Sequence, residues 1–170
     1  MNKILSFFIT LFIFIYPINS IASSTKSIGE KGDPKNIDRV IKIKMYDNYY
    51  EPSEIKVKKG ETVKFIVYNY GELVHEFNIA TKEMHIKHQP EMMKMVENQI
   101  LLADKIDKKK MKEMAKKDHS MAHSHSNSVL LEPNEIGEII WKFSTNANLE
   151  LACNVPGHYE AGMVADIKIN

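Results

Sequence analysis

The sequence predicts an all-β fold, a sandwich of two sheets that is interrupted by one helical and flexible insertion. About eight short β-rich segments, separated by turn signals, lie in two blocks on either side of a strand-poor stretch, and this number is typical of a two-sheet antiparallel sandwich. The clearest segment covers residues 62–68, where Val63, Phe65 and Val67 alternate as in a strand with one buried face. With 170 residues, the chain has the size of a single domain.

The N-terminal residues have the pattern of a secretory signal peptide at 1–22. Lys3 precedes an apolar run over 4–16, Pro17 ends that run, and small residues follow at positions 20 and 22. The run is too short to span a bilayer comfortably. We therefore expect an exported, periplasmic protein without a stable membrane anchor after cleavage; the alternative is that the segment stays as an uncleaved anchor.

Three further segments follow from composition. Polar residues with Gly and Pro at 23–38 predict a flexible lead-in. The sandwich domain then covers 39–170, and its strand-poor insertion covers 81–127.

The insertion has its own pattern. Pro90 fits the first turn of a helix, and residues 91–117 are free of Gly and Pro and rich in helix formers. One apolar stripe is expected on this helix, formed by Met92, Val96, Ile100, Ala103 and Ile106. Residues 119–126, which alternate His, Ser and small residues, predict a disordered tract.

The charge balance excludes one class of partner. The chain has 23 basic and 22 acidic residues, for a formal net charge of +1. Proteins that bind nucleic acid carry a clustered basic excess, so no nucleic-acid partner is expected.

The only cysteine, Cys153, lies in a loop with His158 and Met163. Thiolate, imidazole and thioether are ligands that suit copper, and two His with one Cys and a weak axial Met form the blue-copper arrangement. His75, on a predicted strand after a Gly-containing turn, is the best candidate for the second histidine. A single Cys in an exported protein has no disulfide partner, which favours a metal-bound thiolate. The alternatives are a buried Cys that fills core and a His75 satisfied by solvent or backbone.

Three features of the chain resemble the cupredoxin family, the blue type 1 copper proteins that include plastocyanin, azurin and rusticyanin. They are the segment 50–63, the segment 69–77 around His75, and the motif Cys153-x4-His158-x4-Met163. The resemblance covers roughly 38–81 and 129–170. It implies a Greek-key sandwich with a copper ion, Cu(II) or Cu(I), near one end. His75, Cys153 and His158 would then be the strong ligands and Met163 the weak axial one.

One position departs from the family. Several relatives have Asn directly after the first histidine, where it ties the two ligand loops together, and this chain has Glu76. A buried carboxylate is costly unless it is paired. We therefore expect Glu76 to lie near the surface or to be bonded to a partner.

The surroundings of Cys153 argue against an enzyme. Copper oxidases and nitrite reductases place histidines beside the copper cysteine to hold a second copper, and here the neighbours are Ala152 and Asn154. Four protein ligands also leave no open position for a substrate.

The insertion is a second candidate metal site, because it holds seven of the ten methionines and five of the seven histidines. Thioethers favour Cu(I), and short His-rich tracts are typical of metal binding. The alternative is that the methionines fill core and the histidines form a polar tail. The candidate residues are Met84, His85, His88, Met92, Met93, Met95, Met111, Met114, His119, Met121, His123 and His125.

Two functions remain open at this stage. The first is a redox-capable copper protein that works in copper homeostasis or resistance. The second is a dedicated electron carrier to a respiratory partner, with the insertion serving only structure or docking. The expected partners are the copper ion and either a redox partner protein or a copper transporter.

Overall fold

The computed structural model describes residues 27–170 of the chain, and the predicted signal peptide at 1–22 lies outside the described residues. Ten strands, two α-helices and a short 3-10 helix make up this part. In chain order they are β1 (Glu30–Lys31), β2 (Arg39–Tyr46), β3 (Tyr49–Glu51), β4 (Glu54–Val57), β5 (Thr62–Asn69), β6 (His75–Ala80), α1 (Lys82–Glu97), α2 (Lys108–Ala115), the 3-10 helix (His119–Ala122), β7 (Ser128–Leu131), β8 (Ile136–Lys142), β9 (Leu149–Ala152) and β10 (Val164–Ile169).

The strands form two five-stranded sheets, with the orders β1-β8-β5-β2-β3 and β4-β10-β9-β6-β7. The predicted fold class, a β-sandwich with a helical insertion, is confirmed. Most strand pairs are antiparallel, but β2 pairs in parallel with β5 and β4 pairs in parallel with β10. Parallel neighbours arise because the chain crosses between the two sheets instead of turning back as a hairpin.

The core lies between the sheets and is built by alternating residues of the central strands. On β5, Val63, Phe65 and Val67 are fully buried, as their alternation predicts. The ring of Phe65 packs on Phe77 of the opposite sheet with 5.2 Å between ring centroids. Trp141 on β8 is also fully buried.

Strand β6 differs from the other strands because all six of its residues are buried. Phe77 faces the sandwich core, whereas Glu76 and Asn78 make side-chain contacts with residues 123 and 127 of the insertion. The insertion therefore covers the outer face of this strand. The strand alternates polar and apolar residues, as a strand with one exposed face does, but its polar face is covered by the insertion.

The helices of the insertion begin and end at other residues than predicted. The helix α1 begins at Lys82 and not at Pro90, because the side chain of Thr81 caps it by accepting a hydrogen bond from the Met84 backbone. Pro90 lies inside this helix, where burial of Met92 and Met95 offsets the lost backbone bond.

The single helix predicted over 91–117 is interrupted. After α1 the chain turns at Gln99, whose φ is 54°, and forms a short bridge between Leu101 and Ile106. Ile100, Leu101 and Ile106 become buried in this way. The helix α2 then starts at a new cap, Asp107, whose carboxylate accepts from the Lys110 backbone.

Two segments expected to be flexible are packed instead. Part of the predicted lead-in is attached to the sandwich, since Ile28 is fully buried and β1 pairs with β8. The tract predicted to be disordered contains the 3-10 helix, whose Met121 is fully buried. Burial of one apolar side chain anchors an otherwise polar tract. No helix among the residues 27–170 is long and apolar enough to cross a membrane.

Candidate metal centre

Three of the predicted ligands meet at one end of the sandwich. His75 is the first residue of β6, Cys153 directly follows β9, and His158 lies in the loop before β10. Nδ1 of His75 is 3.2 Å from Nδ1 of His158. The sulfur of Cys153 is 3.4 Å from Nδ1 of His158 and 3.9 Å from Nδ1 of His75.

The loop from Cys153 to Met163 is closed by its own backbone. The Met163 amide donates to the carbonyl of His158 at 3.0 Å, and the Cys153 amide donates to the carbonyl of Met163 at 3.2 Å. Gly157, with φ of 90°, permits the turn before His158. Met163 is fully buried. The nine residues between Cys153 and Met163 therefore return the chain to its starting point beside Cys153.

The titration behaviour of the ligands suits a metal. Burial lowers the pKa of His75, against the opposing effect of Asp47, and burial and His75 together lower the pKa of His158. Both imidazoles are therefore neutral near pH 7, with lone pairs available. Burial raises the pKa of the Cys153 thiol to about 12, so a metal ion must displace the thiol proton when it binds.

Two residues outside the predicted ligand set hold the ligands in place. Oδ1 of Asp47 is 2.8 Å from Nε2 of His75. Because a carboxylate only accepts, this bond places the proton on Nε2 and leaves Nδ1 free for a metal. On the other side, the backbone N–H of Glu76 donates to the sulfur of Cys153 at 3.3 Å.

The carboxylate of Glu76 connects the strand that bears His75 to the loop that bears Cys153. It is fully buried, and its Oε2 accepts hydrogen bonds from the backbone and the side-chain amide of Asn154, at 3.2 and 2.7 Å. Of the two places expected for Glu76, the structure shows the bonded one and excludes the surface. Glu76 thus makes the tie between the ligand loops that Asn makes in several relatives.

The donor set fits copper. Two imidazole nitrogens and one thiolate sulfur are the strong ligands of blue-copper sites, in which a thioether is the weak axial ligand. Metal–nitrogen and metal–sulfur bonds of about 2.0–2.3 Å allow one ion to reach three atoms with the separations found here.

Comparisons with known proteins agree with this geometry. Residues 9–104 match the family described as the cupredoxin-like domain. The chain is 39% identical over 158 residues to the copper-resistant cuproprotein CopI of Pseudomonas aeruginosa, covering 85% of this chain and 83% of the relative. The chain belongs to the cupredoxin family, in the CopI group.

Two further comparisons support this assignment. The CopI protein of Rubrivivax gelatinosus is 30% identical over 142 residues, which is 83% of this chain and 72% of that protein. The crystal structure of dithionite-reduced auracyanin from Roseiflexus castenholzii superposes with a TM-score of 0.55, at 16% identity, over 78% of this chain and 96% of that one. The latter shows the shared fold alone. The predicted family resemblance is confirmed, and copper is the metal that the site of this cupredoxin suits.

A second group of donor atoms lies in the insertion of this cupredoxin. The rings of His88, His123 and His125 place one nitrogen each within 4.8 Å of one another. Glu91 contacts two of them, His88 at 3.2 Å and His125 at 3.3 Å. Burial lowers the pKa of His88, but Glu76 and Glu91 outweigh burial and raise this pKa to about 10.

The other predicted residues of the insertion lie elsewhere. His85 is fully buried, with Nδ1 at 3.1 Å from the side-chain amide of Asn154. His119 is exposed. Met92, Met95 and Met121 are fully buried in the hydrophobic core, Met84, Met111 and Met114 pack against it, and Met93 is 46% exposed. Several methionines of the insertion therefore act as core residues, which is the alternative that the sequence left open.

Asp47 and Glu91, which were not predicted as site residues, belong to no sequence motif. Asp47 lies in the turn between β2 and β3, 28 positions before His75, and in the sequence it has the character of an ordinary turn residue. Glu91 was only one of several charged positions on a helix. Glu76 alone carried a signal, because it departs from the residue that several relatives have there.

Proposed function

We propose that the protein is an exported cupredoxin that holds one copper ion through His75, Cys153, His158 and Met163 and works in copper resistance. The observation that carries this proposal is the convergence of two neutral imidazoles and a buried thiol, with 3.2–3.9 Å between their donor atoms. Similarity to CopI proteins, which are named copper-resistant cuproproteins, supports the role in resistance.

A bound copper ion supplies the ability to exchange one electron between Cu(II) and Cu(I). The chain provides the surroundings. Asp47 orients the ring of His75, and the N–H of Glu76 stabilises negative charge on the sulfur of Cys153. Cys153 and Met163 are fully buried, which keeps bulk water away from the thiolate and limits its oxidation.

The surroundings of Cys153 do not have the features of a copper enzyme. Beside Cys153 stand Ala152 and Asn154, and the side chain of Asn154 is committed to Glu76. With four ligands from the protein, the proposed site leaves no open position for a substrate. We infer a copper carrier or buffer in the periplasm.

One observation favours electron transfer to a protein partner as a second function. A cavity of about 780 Å³ beside the loop from Cys153 to Met163, which we call the copper loop, is lined mainly by apolar groups, among them Ile86, Met93, Pro156 and Tyr159. Ile86 is 55% exposed and Met93 is 46% exposed, and such apolar surface marks interaction sites. Half of this surface comes from α1, so the insertion would serve docking.

Copper titration of the purified protein tests the first function. We expect one Cu(II) per chain with an intense visible absorption band, which is lost in Cys153→Ser and retained in His119→Ala. In a copper-sensitive host that exports the protein, copper tolerance should fall with the first variant only. A colourless Cu(II) complex, or unchanged tolerance in Cys153→Ser, would contradict the proposal.

A variant in the apolar cavity, Ile86→Glu, separates the two functions. Ile86→Glu places a charge in the apolar cavity at an exposed residue that is not a ligand, so we expect the absorption band to remain. Unchanged copper tolerance in this variant supports the resistance function alone. Loss of tolerance with the band intact would show that docking of a partner is required.

A further inference from the structure

The histidines His88, His123 and His125 lie on the opposite side of Glu76 from Cys153. Nε2 of His88 is 3.3 Å from Nε2 of His123. Oε1 of Glu76 is 2.9 Å from Nε2 of His123 and 3.4 Å from Nε2 of His88. Two imidazoles and one buried carboxylate oxygen thus converge at a place that the proposed copper site does not use, and one nitrogen of His125 lies within 4.8 Å of a nitrogen of each of these two rings.

The chemistry of this cluster, which we call the histidine cluster, differs from the soft Met-rich site that the sequence suggested. Imidazole suits Zn(II), Cu(II) and Ni(II), and a carboxylate adds a hard, negative donor. Met92, Met95 and Met121 are fully buried in the core. The donor set therefore favours a divalent ion over Cu(I).

The histidine cluster has a path to solvent. A cavity of about 270 Å³ is lined by His88, His125 and Glu91 among others. The side chain of His125 is 39% exposed, whereas those of His88 and His123 are 12% and 3% exposed. An ion can therefore enter past His125 and reach the ring of His88, whose Nε2 is 3.3 Å from that of His123, without displacement of a strand.

One residue touches both sites. The backbone N–H of Glu76 donates to the sulfur of Cys153 at 3.3 Å, and its Oε1 faces the histidine cluster. Its Oε2 holds Asn154, the residue after Cys153. A divalent cation bound at Oε1 would draw the carboxylate toward itself and bring positive charge close to the thiolate.

We propose that Glu76, His88, His123 and His125 bind one divalent metal ion, and that Glu76 transmits its binding to the copper held by His75, Cys153 and His158. Positive charge near a thiolate favours Cu(I) over Cu(II), because Cu(I) leaves less positive charge on the centre. Occupation of the histidine cluster therefore raises the reduction potential of that copper. The coupling between the histidine cluster and the copper site rests on the proposed function, whereas the second metal site does not.

Zinc binding tests the second site on its own. In the background Cys153→Ser with His158→Ala, which removes two copper ligands, calorimetric titration should show one Zn(II) per chain. Adding His88→Ala and His123→Ala should weaken this binding by at least about tenfold. His119→Ala, an exposed histidine of the same insertion, and Met84→Leu, a methionine that lines the cavity, should leave the binding unchanged.

The coupling is tested in the full-length, copper-loaded protein. One equivalent of Zn(II) should shift the thiolate absorption band and raise the reduction potential. Both effects should vanish in His88→Ala with His123→Ala, although the band itself remains. Glu76→Gln, which keeps the backbone N–H and removes the charge, should weaken zinc binding and reduce the shift.

Each outcome has a separate meaning. Absence of zinc binding in the first experiment overturns the second site, and the histidines then only neutralise Glu76 and Glu91. Zinc binding without any shift of band or potential overturns the coupling. If the wild-type protein shows no thiolate band at all while zinc still binds, the proposed function fails and the histidine cluster stands.

Discussion

Oδ1 of Asp47 lies 2.8 Å from Nε2 of His75 and accepts a hydrogen bond from its N–H group. The same carboxylate accepts the backbone N–H groups of Glu72 and Leu73, the two residues of the turn that leads to the histidine. One side chain from the other sheet therefore sets both the tautomer of the ligand and the path of the chain before it.

Replacing this carboxylate should weaken the copper site. For Asp47→Ala we expect the copper affinity to fall by about 10–100-fold, the usual effect of losing a partner that orients a metal-bound histidine. Competition with a chelator of known affinity measures this change. Asp166→Asn, on the exposed face of β10, is the control and should bind as the wild type does. Wild-type affinity in Asp47→Ala would show that the bond is not needed.

Gly71 should not tolerate a side chain. A Cβ at this position would lie 2.4 Å from Oδ1 of Asp47 and 2.7 Å from Nε2 of His75, so Gly71→Ala must push the pair apart. Copper affinity should fall in the single variant, and the double variant with Asp47→Ala should lose little more, because both changes act on the same bond. Fully additive losses, measured by the same competition, would contradict this account.

Met121 should act as a core residue and not as a ligand. It is fully buried in the hydrophobic core. We expect Met121→Ala to lower the free energy of unfolding by about 2–5 kcal/mol, through lost burial and the cavity left behind. Urea unfolding of the metal-free protein gives this value. Met121→Leu keeps the volume and lacks the sulfur, so it should retain the metal content; loss of metal from this variant would identify the thioether as a ligand.

The ion pair between His88 and Glu76 should make the stability of the metal-free protein depend on pH. The pKa of His88 is raised from 6.5 to about 10 in the folded chain, so its contribution to stability is full below pH 6.5 and is lost as the pH rises to 10. Burial raises the pKa of Glu76, yet His123 and His88 hold it well below 4.5. The contribution of Glu76 is therefore present above pH 4.5 and is lost as the pH falls further.

The variant His88→Asn, which lacks the charged ring, tests this pH dependence of stability. The deficit in the free energy of unfolding of His88→Asn relative to wild type should be largest between pH 4.5 and 6.5. It should shrink steadily as the pH is raised toward 10. His119→Asn is the matched control. A deficit that stays constant from pH 6.5 to 10 would contradict the assignment of a proton to His88.

The copper loop was predictable because its residues are close in sequence. Cys153, His158 and Met163 share one loop, and their types and spacing indicate one metal. The alternation in β5 likewise predicted its buried face. In contrast, Asp47 and Glu91 reach the two sites through contacts between distant segments, and no periodicity records such contacts.

The insertion was harder to predict for a different reason. Helix formers over 91–117 indicated one helix, but Thr81 starts α1 earlier, and burial of Ile100 and Ile106 outweighs the helix propensity of the residues between α1 and α2. Tertiary burial also determines the conformation of the tract 119–126, because the side chain of Met121 packs into the core. Local composition carries no information on which apolar side chain will find a partner.

The insertion leaves the sandwich from β6 and returns to it through β7, and these two strands are hydrogen-bonded neighbours, with Asn78 paired to Ser128. Its two ends are therefore as close as those of an ordinary hairpin turn, which two to five residues can close. Gain or loss of the whole segment would re-route no other strand. The histidine cluster therefore lies on a segment that can be inserted or deleted as a unit, and a single genetic event could add it to a copper protein or remove it.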